Sequence, residues 1–128
     1  MTMERVTGIG GIFFKSSNPK SLGDWYKKHL GLDVTDWGGA LFRWGGDGST
    51  RGTTVWSPFS EDTTYMEPGK SPFMINFRVA DLESLLAALR SEGCTVMEKS
   101  ESSEQGKFGW VIDLDGNKIE LWEPAPGY

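Results

Sequence analysis

The sequence predicts an α+β protein built from two βαβββ modules, whose sheets enclose a cavity and whose helices lie outside it. Three observations carry that prediction. Residues 9–31, IGGIFFKSSNPKSLGDWYKKHLG, and residues 72–93, PFMINFRVADLESLLAALRSEG, share one plan of alternating strand, polar punctuation, helix and glycine stop. An internal repeat of this size sets the architecture. Each copy is followed by short runs of strand composition, and the last of these, within residues 106–124, GKFGWVIDLDGNKIELWEP, reads as a hairpin around Asp115-Gly116.

The elements follow in order. In the first copy the alternating strand ends near Asn18, an N-cap residue, and the helix stops at Gly31, where a left-handed C-terminal residue is expected. LDVTDW, ALFRWG and TTVWSPF then read as strands. Residues 60–71, SEDTTYMEPGKS, form a polar connection. In the second copy Asp81 caps a helix whose Leu82, Leu85, Leu86 and Leu89 recur at helical spacing, and Gly93 ends it. CTVMEKS, FGWVIDL and KIELWEP supply its strands. Placing Gly11 on Met74 also places Asn18 on Asp81 and Leu22 on Leu85. The copies also end alike, Val55-Trp56-Ser57-Pro58 beside Leu121-Trp122-Glu123-Pro124. Module 1 therefore spans about 6–59 and module 2 about 72–125, within one domain of 128 residues. A helix covers one face of each module's sheet, and pairing the modules encloses the other.

If Asp115 and Gly116 are the whole turn, Ile112 opposes Ile119, Val111 opposes Glu120, and Asp113 forms a surface pair with Lys118. A longer loop shifts these partners but not the alternation along the last strand. Ile119 and Leu121 face the core, while Lys118, Glu120 and Trp122 face the other side.

The charge balance, 13 Lys and Arg against 18 Asp and Glu, argues against a nucleic-acid partner, which needs clustered cations. Apolar runs are too short to span a membrane, and MTMERVTGIGG lacks the pattern of a signal peptide. A soluble, cytoplasmic protein is expected. Cys94 is the single cysteine, which excludes an internal disulfide and a paired-cysteine zinc site, and it reads as a small packing residue. His29, late in the first helix, suits the negative end of the helix dipole and carries no catalytic role.

The two modules, with the opening GIGGIFFKSSNPKSLGDWYKKHLGL and the ending DLDGNKIELWEP, resemble the vicinal oxygen chelate superfamily, which includes glyoxalase I, extradiol dioxygenases, fosfomycin-resistance enzymes and bleomycin-resistance proteins. The resemblance implies metal ligands at four inward positions, which fall on Gly11, Thr54, Met74 and Glu120. Only Glu120 is a competent ligand, and a hard divalent ion needs several oxygen or nitrogen donors. No metal site and no cofactor are therefore expected. A homodimer is also implied by the resemblance.

Strand alternation brings Met74, Asn76 and Arg78 to the inner face, Phe13 with Gly11, and Thr54, Trp56, Glu120 and Trp122 from the closing strands. These are the candidate ligand-binding residues: aromatics with a few polar groups suit a small organic molecule. The alternative is structural, with Arg78 and Glu120 pairing and the tryptophans filling space. Three functions follow from this set. One is metal-free binding of a small molecule, similar to bleomycin-resistance proteins. A second is a metal-dependent glyoxalase-like lyase or isomerase, or a dioxygenase. The third is a metal-free enzyme with Glu120 as general base and Arg78 or Asn76 holding an oxyanion.

Overall fold

The structure is a computed structural model that describes residues 5–44 and 52–128. In chain order it contains β1 (Val6–Ser16), α1 (Pro19–Leu30), β2 (Ala40–Arg43), β3 (Thr53–Ser60), β4 (Phe73–Val79), α2 (Leu82–Ser91), β5 (Thr95–Val96), β6 (Glu101–Ser103), β7 (Gly106–Ile112) and β8 (Lys118–Pro124). Gly45, the last residue of the expected strand ALFRWG, lies outside the described residues.

All eight strands belong to one open sheet in the order β2-β3-β1-β4-β8-β7-β5, with β6 beside β7. The modules join through β1 and β4, which run antiparallel, while β1 with β3 and β4 with β8 run parallel. The two parallel pairs share one register: Val55 lies beside Gly11 and Glu120 beside Asn76, 44 positions on in both cases.

Both helices are capped as their sequences require. The Asn18 side chain accepts the Ser21 N–H at 3.1 Å and that of Asp81 accepts the Ser84 N–H at 3.2 Å. Gly31 and Gly93 end them at φ 71° and 84°, angles at which a Cβ is strained. Helix α1 packs on β3 and β1, and α2 on β5, β7 and β8. Beneath α2 a core forms from Val79, Leu82, Leu85, Leu86 and Leu121, with Phe77, Val111 and Ile119 against it. Gly109 allows this approach, since a Cβ there would lie 2.9 Å from Leu86 Cδ1. A second cluster, Phe13, Met66, Met74 and Trp110, occupies the opposite face of the sheet.

Several expectations are corrected. LDVTDW is not a strand: Thr35 bonds back to the Gly39 carbonyl through its N–H and hydroxyl, both at 2.8 Å, which closes a turn with Gly38 at φ 96°. The β7–β8 connection is a five-residue loop, so Glu120 opposes Trp110 and Ile119 opposes Val111. Asp113 builds that loop by accepting the Asp115 and Asn117 N–H groups, both at 2.9 Å, instead of pairing with Lys118. Cys94 is exposed, not packed. His29 sits in the last turn of α1 with its ring 5.0 Å from that of Trp25. Among the described residues no helix is long and apolar enough to cross a membrane.

Candidate active and binding site

The face of the sheet turned away from the helices opens on a cavity of about 680 Å³. Strand period decides which residues reach it. From β1 and β3 come Gly10, Phe13, Val55, Ser57 and Phe59; from β4, β7 and β8 come Asn76, Phe108, Glu120 and Trp122. Trp37, Leu41 and Tyr128 also line it.

Glu120 is only 2% exposed, yet its carboxylate is well supplied with donors. Asn76 Nδ2–H donates to Oε1 at 2.6 Å, Trp110 Nε1–H donates to Oε2 at 2.9 Å, and the Tyr65 hydroxyl donates to the same Oε2. Burial raises the pKa of Glu120 above the ordinary carboxylate range, against the opposing pull of these bonds and of nearby Lys118. Burial and the neighbouring Glu120 push the Tyr65 phenol upward too, so it stands as a donor.

Tyr65 comes from the connection between the modules, residues 60–71, whose composition is that of a polar linker. That segment folds across the inner face. Met66 is buried, Lys118 Nζ donates to the Tyr65 carbonyl at 2.6 Å, and the Ser71 hydroxyl meets Asn117 Oδ1 at 2.6 Å. The Tyr65 ring stacks on Phe59 with centroids 5.7 Å apart. The adjacent pair Tyr65-Met66 in an otherwise polar run was the signal for this. Trp110 was missed for a different reason, because the two-residue turn placed Val111 opposite Glu120.

Of the residues expected in the site, Phe13, Asn76, Glu120 and Trp122 line the cavity. Met74 lies beneath it, fully buried against the Phe13 cluster. Trp56 points the other way, its ring 4.7 Å from Tyr26 of α1. Thr54 is on the same side of β3; its hydroxyl donates to the Ile9 carbonyl at 2.7 Å and accepts from Trp44 Nε1 at 2.9 Å. Arg78 does not pair with Glu120. Its guanidinium lies between the Trp44 and Trp122 rings, at 4.9 and 5.1 Å, and donates to the Thr53 and Tyr128 carbonyls.

The donor set does not fit a divalent metal. The groups around Glu120 are hydrogen-bond donors, not ligands, and Gly11 and Met74 offer no hard oxygen or nitrogen. Among the described residues no three His, Cys, Asp or Glu side chains are grouped to hold an ion.

The open sheet of two joined modules has the vicinal oxygen chelate fold. Within it, residues 11–122 match the glyoxalase-like domain model, so the chain belongs to the glyoxalase-like family. The fold is similar to methylmalonyl-CoA epimerase from Mycobacterium tuberculosis, with 22% identity, a TM-score of 0.68, and 98% of this chain and 93% of that one covered. A Streptomyces coelicolor methylmalonyl-CoA epimerase is similar at 18% identity and a TM-score of 0.70, over 94% of this chain and 99% of that one. The 2,3-dioxygenase LapB from Pseudomonas sp. KL28 is similar at 21% identity and a TM-score of 0.60, over 96% of this chain but 42% of its own. A search of curated protein sequences gives no match.

Proposed function

We propose that this chain is a metal-free glyoxalase-like protein that binds a small organic molecule in the cavity above Glu120. The observation that carries this reading is a carboxylate 2% exposed at the base of a cavity of about 680 Å³ whose walls include Phe13, Phe59, Phe108 and Trp122. Walls of this kind supply stacking and apolar burial, and a few fixed polar groups orient what is bound. Trp122 is held ready for that role: its ring lies nearly parallel to Phe108, at 3°, and its Nε1–H donates to the Gln105 carbonyl at 2.9 Å.

A second reading is a metal-free enzyme with Glu120 as general base, favoured by the upward shift that burial gives its pKa. Of the two oxyanion partners expected for it, Asn76 stands beside Glu120, whereas Arg78 is committed to two carbonyls. A cytoplasmic homodimer is part of the same proposal. Exposed Val6, Ile9 and Ile12 on β1 support the dimer, and the single cysteine supports the location.

The test is a thermal-shift screen of planar organic compounds followed by titration of the hits against intrinsic tryptophan emission. A saturable hit whose affinity falls in Trp122→Ala is the expected result. Hits that bind Trp122→Ala and Phe108→Ala as tightly as the wild type would place the ligand elsewhere and overturn the reading.

A further inference from the structure

A carboxylate oxygen accepts about two hydrogen bonds in the plane of the group. Oε2 of Glu120 has both, from Trp110 and Tyr65, whereas Oε1 has one, from Asn76. Beside it Asn76 Oδ1 is buried with no partner, tucked against Gly10. The base of the cavity therefore holds acceptor capacity without donors to match.

We propose that Tyr65 is a specificity-determining residue of this site: it holds Oε2 occupied, so that Oε1 is the carboxylate oxygen left to the ligand, and the ligand is one that donates a hydrogen bond there, such as an alcohol, phenol, amine or amide N–H. This rests on the binding function proposed above. It adds the chemical class of the ligand and a residue outside both modules.

Tyr65 is built to stay in place. Its carbonyl accepts from Lys118 Nζ, and that ammonium also lies 5.1 Å from the Tyr65 ring centroid and 5.2 Å from that of Trp110. Met66, next in the chain, is buried among Phe13, Met74 and Trp110. With its phenol protonated, Tyr65 can only donate to Glu120, which favours the carboxylate form. Lys118 acts in the same direction, and Glu101 at the cavity wall is the other acid that bears on Tyr65 and Lys118. Were Glu120 to take a proton, it would itself become a donor and accept ligands that the carboxylate excludes. A carboxylate or phosphate ligand is excluded in the ionised state, because it brings a like charge to a buried anion.

The experiment compares two probes of nearly the same shape, 2-naphthol and 2-methoxynaphthalene, by isothermal titration calorimetry at neutral pH. The wild type should bind the naphthol about tenfold more tightly, the size of one hydrogen bond to a charged group. Repeated as the pH is lowered, the ratio should fall toward one as Glu120 takes up its proton; in Tyr65→Phe this fall should come at a higher pH than in the wild type, and a 13C titration of the Glu120 carboxyl should show its pKa raised in step. A tyrosine that only fills space would move neither readout. Equal wild-type affinities would overturn the donor requirement while leaving the cavity in place. The same pH dependence of the ratio in Tyr65→Phe as in the wild type would overturn the role of Tyr65. Saturable binding of neither probe up to about 1 mM would overturn the binding function beneath both.

Discussion

Replacing Glu120 by alanine and by glutamine should produce very different losses of stability, and the hydrogen bonds around it set the sizes. Alanine removes the acceptor of the Trp110 Nε1–H, the Asn76 Nδ2–H and the Tyr65 hydroxyl at once. Buried donors left unsatisfied cost ~1–3 kcal/mol each, but the phenol can turn and the buried charge is also removed, so the net loss should be ~3–5 kcal/mol. Glutamine meets the same shell differently. With its oxygen in the place of Oε2 it still accepts from Trp110 and Tyr65. Its amide nitrogen then faces Asn76, whose own amide can turn to present Oδ1, the buried acceptor now without a partner. One Asn76 atom is left without a partner, as in the wild type, and no charge is buried, so the loss should be below ~1 kcal/mol.

Acidity adds a sign. A carboxyl whose pKa is higher folded than unfolded contributes stability below the unfolded value, and that contribution is lost as pH rises through the folded value. Glu120 is raised from 4.5, so the wild type should lose ground to Glu120→Gln as pH increases from there. Urea unfolding of the three proteins across that range measures both effects. Equal costs for alanine and glutamine would refute the donor arrangement inferred for this carboxylate, and a Gln-to-wild-type difference independent of pH would refute the rise that burial gives its pKa.

Three further outcomes are expected. Trp56→Ala should lower stability by ~2–4 kcal/mol through lost packing on Tyr26 and Phe14 without changing ligand affinity, whereas Trp122→Ala should weaken binding by ~1–3 kcal/mol. Denaturant midpoints and titrations of the two variants distinguish these, and a loss of affinity in Trp56→Ala alone would reverse the assignment. Gly10→Ala should cost ~1–3 kcal/mol in unfolding experiments, because its Cβ would lie 2.8 Å from Trp122 Cε3 and against Asn76 Oδ1. Untagged, dialysed protein should carry far less than one equivalent of divalent transition metal by elemental analysis, and its melting temperature should ignore chelator; a stoichiometric ion lost in Glu120→Ala would show a metal centre.

The repeat explains what the sequence made legible and what it hid. The plan of strand, cap, helix and glycine stop depends on local chemistry, so Asn18, Gly31, Asp81 and Gly93 sit where their residue types demand. Faces of strands are less forgiving. Gly11 and Met74 are 63 positions apart, an odd offset, and with the shared register of the parallel pairs it places Ser57 at the position of Glu120. Matching Trp56 to Trp122 instead needs 66, an even offset, and a slip of one residue turns a whole strand over. That is why Thr54 and Trp56 were expected inside and face outward, while Val55 and Ser57 line the cavity. Along β4 and β8 the alternation needs no alignment, and Asn76, Glu120 and Trp122, expected on the inner face, line the cavity. The partners of Glu120 depended on loop length and on the path of the linker, and neither is written in strand periodicity.

The same offset shows that the enclosed space is two-ended. Where the second module presents Asn76 and Glu120, the first presents Phe13 and Ser57, and Tyr65 has no counterpart because it lies between the copies. A duplication would at first offer two equivalent half-sites, in which a guest could lie either way round. Here Phe13, Phe59 and Ser57 come from one half, while the carboxylate and the amide come from the other, together with Phe108 and Trp122. A guest with a polar head and an aromatic tail would then place its head at Glu120 and Asn76, and head-to-tail reversal would put that head against Phe13.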